Sequence, residues 1–177
     1  MKHRWTPLRG LGLVLLFATV LMGRTALINY STQPAPAVIG ETALIKEVNT
    51  GLEFEARVDT GAATSSIHVD ADDVVIEDES PKPGENIDKL VRVRLDNGEG
   101  KNAWLQTKIE DYTEVRSANG AEHRYLVRLP LQFGGIQKIA IVNLNDRSTM
   151  KYRLLLGRDF LKNDFLVDVA SAGSKPL

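Results

Sequence analysis

The run Ala56-Arg57-Val58-Asp59-Thr60-Gly61-Ala62-Ala63-Thr64-Ser65-Ser66-Ile67 divides into parts with different chemistry. Its opening residues close a stretch, Leu52 to Val58, that mixes β-branched, aromatic and charged residues and reads as a strand. The strand stops at Asp59, with Gly61 two residues on and a patch of Ala, Thr and Ser behind it. An aspartate at a strand end, with a turn-forming glycine following, is held by backbone rather than by a long side chain. Its carboxylate therefore has a fixed direction, which chemistry needs.

Asp59-Thr60-Gly61-Ala62 behind an apolar strand resembles the active-site loop of the retropepsin-like aspartic proteases. A second element agrees. Leu154-Leu155-Leu156-Gly157-Arg158-Asp159-Phe160-Leu161 resembles the closing motif of that family, an apolar strand followed by Gly-Arg and a short helix. Within the superfamily the chain is most similar to a bacterial group commonly labelled ATP-dependent zinc proteases. That label and the group's motif contradict each other, and the motif is the better guide. The resemblance spans roughly Ile39 to Asp168. It implies an all-β fold: a retropepsin-like acid-protease β-barrel with one short C-terminal helix.

The resemblance also implies roles. One carboxylate does not easily hydrolyse a peptide, whereas a pair does: an ionised Asp activates water while its protonated partner polarises the carbonyl and later protonates the leaving nitrogen. Two such groups share one proton, because like charges a few Å apart do not both ionise. The chain contains no second Asp-Thr-Gly, so a twofold homodimer is expected to bring Asp59 and its symmetry mate together. Asp59 is then the acid and base. The Thr60 hydroxyl is expected to reach the other loop, Gly61 to allow the turn and bring its N–H to the carboxylate, and Ala62 to leave room for substrate. The hairpin centred on Asn119-Gly120 is the candidate flap over the peptide. Gly157 should let its strand pass close to the active-site loop. Arg158 is a structural residue near the site whose usual acidic partner is missing, because Ala63 occupies that position; either Asp159 or another acid compensates, or the dimer is held differently.

Composition narrows the alternatives. Across 177 residues, 43% are hydrophobic and 25% charged, with a formal net charge of −1, which describes one ordinary globular domain with a terminal extension. That balance argues against a general nucleic-acid binder. The absence of cysteine removes disulfides, thiol catalysis and cysteine-based zinc sites. Only His3, His68 and His123 are present, with no His-Glu-x-x-His and no Gly-x-x-x-x-Gly-Lys loop. No metal and no cofactor is expected, and His68 and His123 read as surface or satisfied histidines.

At the N-terminus, Lys2, His3, Arg4 and Arg9 precede the uncharged run Gly10 to Gly23. This reads as a signal or membrane-anchor segment covering 1–30, followed by a Pro-containing linker at 31–38. The run is shorter than the roughly 18–20 residues that cross a bilayer comfortably, but Arg24 can snorkel and Ala26-Leu27-Ile28 can extend it. Cleavage is the rival, although Ala35-Pro36-Ala37 lies far from the apolar run. Either way the expected location is periplasmic, with an uncleaved anchor in the inner membrane favoured.

The domain is expected over 39–171 with a tail at 172–177. Strands are expected at 43–48, 52–58, 66–69, 74–76, 90–95, 103–109, 112–116, 124–131, 138–144, 154–156 and 165–169, with a helix at 157–162. Asp70 to Asp88 is acid-rich and reads as a solvated loop, its spacing fitting no EF-hand. Trp104 is expected in the core. The reading that follows is a homodimeric aspartic endopeptidase acting on a peptide or protein. The alternatives are a non-hydrolytic peptide- or protein-binding module of the same fold in the cell envelope, and a zinc-dependent hydrolase.

Overall fold

Period-two alternation of apolar residues dictates the sheet. In the computed structural model, which describes residues 35–117 and 120–171, the strands are β1 (Ala37–Gly40), β2 (Thr42–Glu47), β3 (Glu53–Val58), β4 (Ser65–His68), β5 (Val74–Ile76), β6 (Leu90–Asp96), β7 (Asn102–Ser117), β8 (Gly120–Phe133), β9 (Ile136–Asn145), β10 (Leu154–Leu156) and β11 (Phe165–Asp168). One helical turn, α1 (Arg158–Leu161), lies between β10 and β11. On β3 the side chains of Phe54, Ala56 and Val58 are buried, and those between them are exposed. Val91, Val93 and Leu95 of β6, and Val127, Leu129 and Leu131 of β8, point into the same core. Each fully buried Leu, Ile or Phe is worth about 1.5–3 kcal/mol relative to exposure.

Strands β2, β3, β10, β4, β9 and β8 are neighbours in that order, and β2 pairs again with β8 through Lys46↔Gln132 and Glu47↔Leu131. The ring is therefore a closed barrel without free edges. Strands β7, β6 and β5 extend the sheet beyond β8, and β1 pairs in parallel with β11 as a separate two-stranded sheet. The pairing that matters most for the site is non-local: β10 runs parallel to β3, with Leu156 opposite Val58, and antiparallel to β4.

Several elements differ from the sequence-based expectation. Ala37 and Val38, expected in the linker, belong to β1, because β11 supplies a hydrogen-bonding partner. The two strands expected at 103–109 and 112–116 are the single strand β7, which passes through a bulge between Ile109 and Asp111. Trp104 is not core but 50% exposed, since Leu105 takes the inward position; Arg92 stacks on the indole at 5.4 Å. The acid-rich segment contains buried Asn86, which bonds Tyr125 Oη, and Asp73, which pairs with Arg94 at 2.8 Å. Glu47 is fully buried, accepting the N–H groups of Asn49 (3.0 Å) and Thr50 (2.7 Å) and so fixing the β2–β3 turn. The residues expected to form the signal or anchor lie outside the described residues.

Candidate active site

Asp59 sits one residue beyond β3, where its N–H still donates to Leu156 O at 2.9 Å and continues the ladder to β10. Its Oδ1 accepts the N–H groups of Gly61 (2.8 Å) and Ala62 (3.3 Å). A Cβ on Gly61 would lie 3.1 Å from that same oxygen, so glycine keeps the approach open. The carboxylate is half-buried, while Thr60 and Gly61 are exposed. The Thr60 hydroxyl makes no hydrogen bond among the described residues.

The loop is held from behind by the start of α1. Arg158 Nη1 donates to the carbonyls of Thr60 (3.0 Å) and Gly61 (2.8 Å). The backbone N–H groups of Arg158 and Asp159 donate to Ala62 O (2.9 Å) and Ala63 O (3.3 Å). Donors that a helix start leaves without intrahelical partners are thus spent on the loop. Gly157, just before α1, has no room for a side chain: a Cβ there would meet Thr64 C at 2.7 Å and Ser65 N at 2.9 Å. The tight passage beside the loop therefore requires glycine.

The loop position of Ser65 leads one to expect hydrogen bonds within the loop, but sequence reasoning missed it as the buried hub. Its Oγ accepts Gly157 N–H at 3.0 Å and donates to Asp159 Oδ1 at 2.8 Å, and its own N–H donates to that oxygen at 2.9 Å. Nothing in a single sequence distinguishes this serine from its neighbours Thr64 and Ser66. Lys138 was missed as well. Its ammonium caps the carbonyls of Phe160 (2.6 Å) and Lys162 (2.9 Å) and pairs with Asp164 at 2.7 Å, anchoring the end of the helix.

The flap candidate is the β7–β8 hairpin, in which Ser117 pairs with Gly120. Asn119 lies outside the described residues. His123 is remote from the Asp59 loop in the chain and packs edge-on against Tyr112, with centroids 5.8 Å apart.

Could a metal sit here? His68, Asp70 and Asp146 bring ligand atoms within 4.8 Å of one another. His68 is buried, and its Nδ1 accepts Arg147 N–H at 2.9 Å. The ring proton is then on Nε2, facing Asp70 at 3.6 Å. In this state neither nitrogen has a free lone pair for a metal, and the cluster reads as a neutral imidazole between acids.

A family model described as RimB-like, retropepsin-like aspartic endopeptidase RimB, matches residues 38–176. A probable alpha-L-glutamate ligase of Shewanella pealeana is 34% identical over 116 residues, 65% of this chain and 24% of that protein. One of Desulfotalea psychrophila, with the same description, is 29% identical over 126 residues, 66% of this chain and 24% of the other. The chain thus matches about a quarter of the length of these curated relatives. A solved Legionella pneumophila protein of unknown function shares the fold, with a TM-score of 0.63 at 22% identity over 79% of this chain and 98% of that one.

Proposed function

The chain belongs to the RimB-like family of retropepsin-like aspartic endopeptidases, and from that premise we propose that it hydrolyses peptide bonds as a homodimer. The observation that carries the reading is the state of Asp59. Its carboxylate is oriented by two backbone N–H groups at the edge of an exposed loop, and the chain supplies one such loop. A second copy facing the first across a twofold axis supplies the other carboxylate and a partner for the free Thr60 hydroxyl. One ionised Asp59 then takes a proton from water as it attacks the peptide carbonyl. The protonated partner donates to the carbonyl oxygen, and the proton taken from water goes to the leaving amine. Gly120 and the rest of the β7–β8 hairpin close over the substrate, with Ala62 leaving space for its main chain.

The relatives named as alpha-L-glutamate ligases carry a similar stretch within a longer protein. That supports α-glutamyl peptides as the substrate class: a ligase that makes such bonds and a hydrolase that cuts them form a natural pair. The basic and apolar N-terminal run is the ground for proposing that the domain works on the periplasmic side of the inner membrane.

The test is peptide cleavage by the full chain and by Asp59→Asn. Asn keeps the oxygen that accepts from Gly61 and Ala62, so the variant should stay folded and dimeric. Its turnover should fall by about 10²–10⁴-fold or more, the range for loss of a general acid–base group. Cleavage that persists in Asp59→Asn rejects the mechanism. A stable monomer that binds peptide without turnover at any pH favours the binding-module reading instead.

A further inference from the structure

The geometry points to Arg57 as the residue by which the surface beside Asp59 selects an acidic side chain of the peptide. This inference rests on the peptidase reading above and deepens it.

The placement follows from register. Arg57 on β3 is the Cα partner of Leu155 on β10, Leu155 of Ser66 on β4, and Ser66 of Asn143 on β9. Side chains in register stand on one face of a sheet. It is the face turned away from the core, since the flanking residues Ala56, Val58, Leu154 and Leu156 are buried inward. Asp59 follows Arg57 by two residues on backbone whose ladder to β10 continues, so their Cα atoms are about 7 Å apart on the same side. A peptide laid across Asp59 would pass the exposed end of this row, at Arg57.

The chemistry of the row is polar. Ser66 is buried and its Oγ donates to Asn143 Oδ1 at 2.8 Å, Leu155 is half-buried, and the exposed Arg57 supplies a positive charge at the open end of the row. The guanidinium already holds a glutamate carboxylate: Glu41 Oε2 lies 2.9 Å from Arg57 Nη1. The side chains of this pair are 45% and 42% exposed, so the contact is weak and exchangeable. Glu41 engages Nη1 alone, and Nε and Nη2 have no partner among the described residues. A substrate carboxylate able to bond two nitrogens of the planar fork would displace a single-point contact. Glu41 is thus the internal stand-in for an incoming acidic side chain.

The experiment uses paired peptides that differ only by Glu or Gln at one position, scanned along the residues flanking the cleaved bond. The wild-type full chain should prefer Glu over Gln at one such position by about tenfold in kcat/KM, the equivalent of one charge-assisted hydrogen bond. Arg57→Gln should bring that ratio close to one, and Glu41→Gln, which removes the competitor, should raise it. A Glu:Gln ratio unchanged in Arg57→Gln overturns the assignment. If the wild type cuts no peptide, the peptidase reading fails separately. Arg57 is then judged by binding of the same labelled peptides to Asp59→Asn with and without Arg57→Gln. Weaker binding of the Glu peptide in the double variant supports the assignment, and equal binding overturns it.

Discussion

Arg158 and Gly61 are joined by a hydrogen bond from the guanidinium Nη1 to a backbone carbonyl at 2.8 Å, not by an ion pair. The same nitrogen takes Thr60 O at 3.0 Å, while the N–H groups of Arg158 and Asp159 take the carbonyls of Ala62 and Ala63. Four successive carbonyls of the Asp59 loop therefore end on two residues at the start of α1. That explains how the loop tolerates Ala63 where viral retropepsins carry an acid: its brace needs acceptors, and the backbone supplies them.

Arg158→Ala removes two of these four contacts from an exposed side chain. A loss of about 1 kcal/mol is expected, enough to lower Tm by about 3 °C in a domain of this size. Peptide cleavage should fall further than stability does, because the loop carries Asp59. Arg158→Lys, an ammonium with three donors at one point, should recover part of the loss. Thermal unfolding and turnover measured on the same preparations check this. An Arg158→Ala protein with full activity would show that the brace is dispensable.

Gly157→Ala places a methyl group 2.7 Å from Thr64 C and 2.9 Å from Ser65 N. Both neighbours are backbone, so neither can rotate away. About 1–3 kcal/mol of overpacking strain is expected, relieved by pushing the Asp59 loop from α1. The variant should lose activity even at temperatures where circular dichroism finds it folded. Gly135 is the control, since a Cβ there has open space and Gly135→Ala should be near neutral.

Ser65→Ala leaves the Gly157 N–H buried without its acceptor and takes one of two donors from Asp159 Oδ1. An unmet buried donor costs about 1–3 kcal/mol. Asp159 Oδ2 is already buried without a partner, so the site has little slack. Ser66→Ala removes only the bond to Asn143 and should cost less. Chemical denaturation of the two variants compares them; an equal or reversed order would mean that Ser65 is not the hub.

Much of this was legible in the residues. Alternation in Val91, Val93 and Leu95 fixes which face of β6 is core, and the Asp59 loop with Leu154 to Arg158 marks the barrel. What stayed hidden depends on partners far along the chain. Ala37 and Val38 look like linker until β11 pairs with them. The bulge beyond Ile109 interrupts the hydrophobic pattern of β7 without ending the strand. Trp104 is apolar enough for a core, yet the pleat turns it outward. The acceptors of Arg158 are backbone oxygens, which leave no trace in residue identity. The Arg57–Glu41 pair and the Arg57–Leu155–Ser66 row likewise exist only once β2, β3, β10 and β4 are brought side by side.

His68 predicts how stability responds to acid. Burial, and then the nearby Arg153 charge, hold its pKa below the ordinary 6.5, against the opposing pull of Asp70, Asp146 and Asp96. Its Nδ1 must stay unprotonated to accept Arg147 N–H. Well above pH 6.5 the imidazole is neutral both folded and unfolded, and the stability is complete. As pH falls below that value, the unfolded chain takes up a proton that the folded chain resists, so stability drops until the folded pKa is reached. The lowered carboxylates of Asp146, Asp168 and Glu85 act in another window, below ordinary values of 3.8 to 4.5. Tm should therefore be lower at pH 5.5 than at pH 7.5, and His68→Gln, whose amide oxygen can still accept from Arg147, should flatten that slope. An undiminished slope in His68→Gln would assign the acid sensitivity to other groups. On the proposed shared-proton mechanism, which works in acid, His68→Gln should extend cleavage to lower pH.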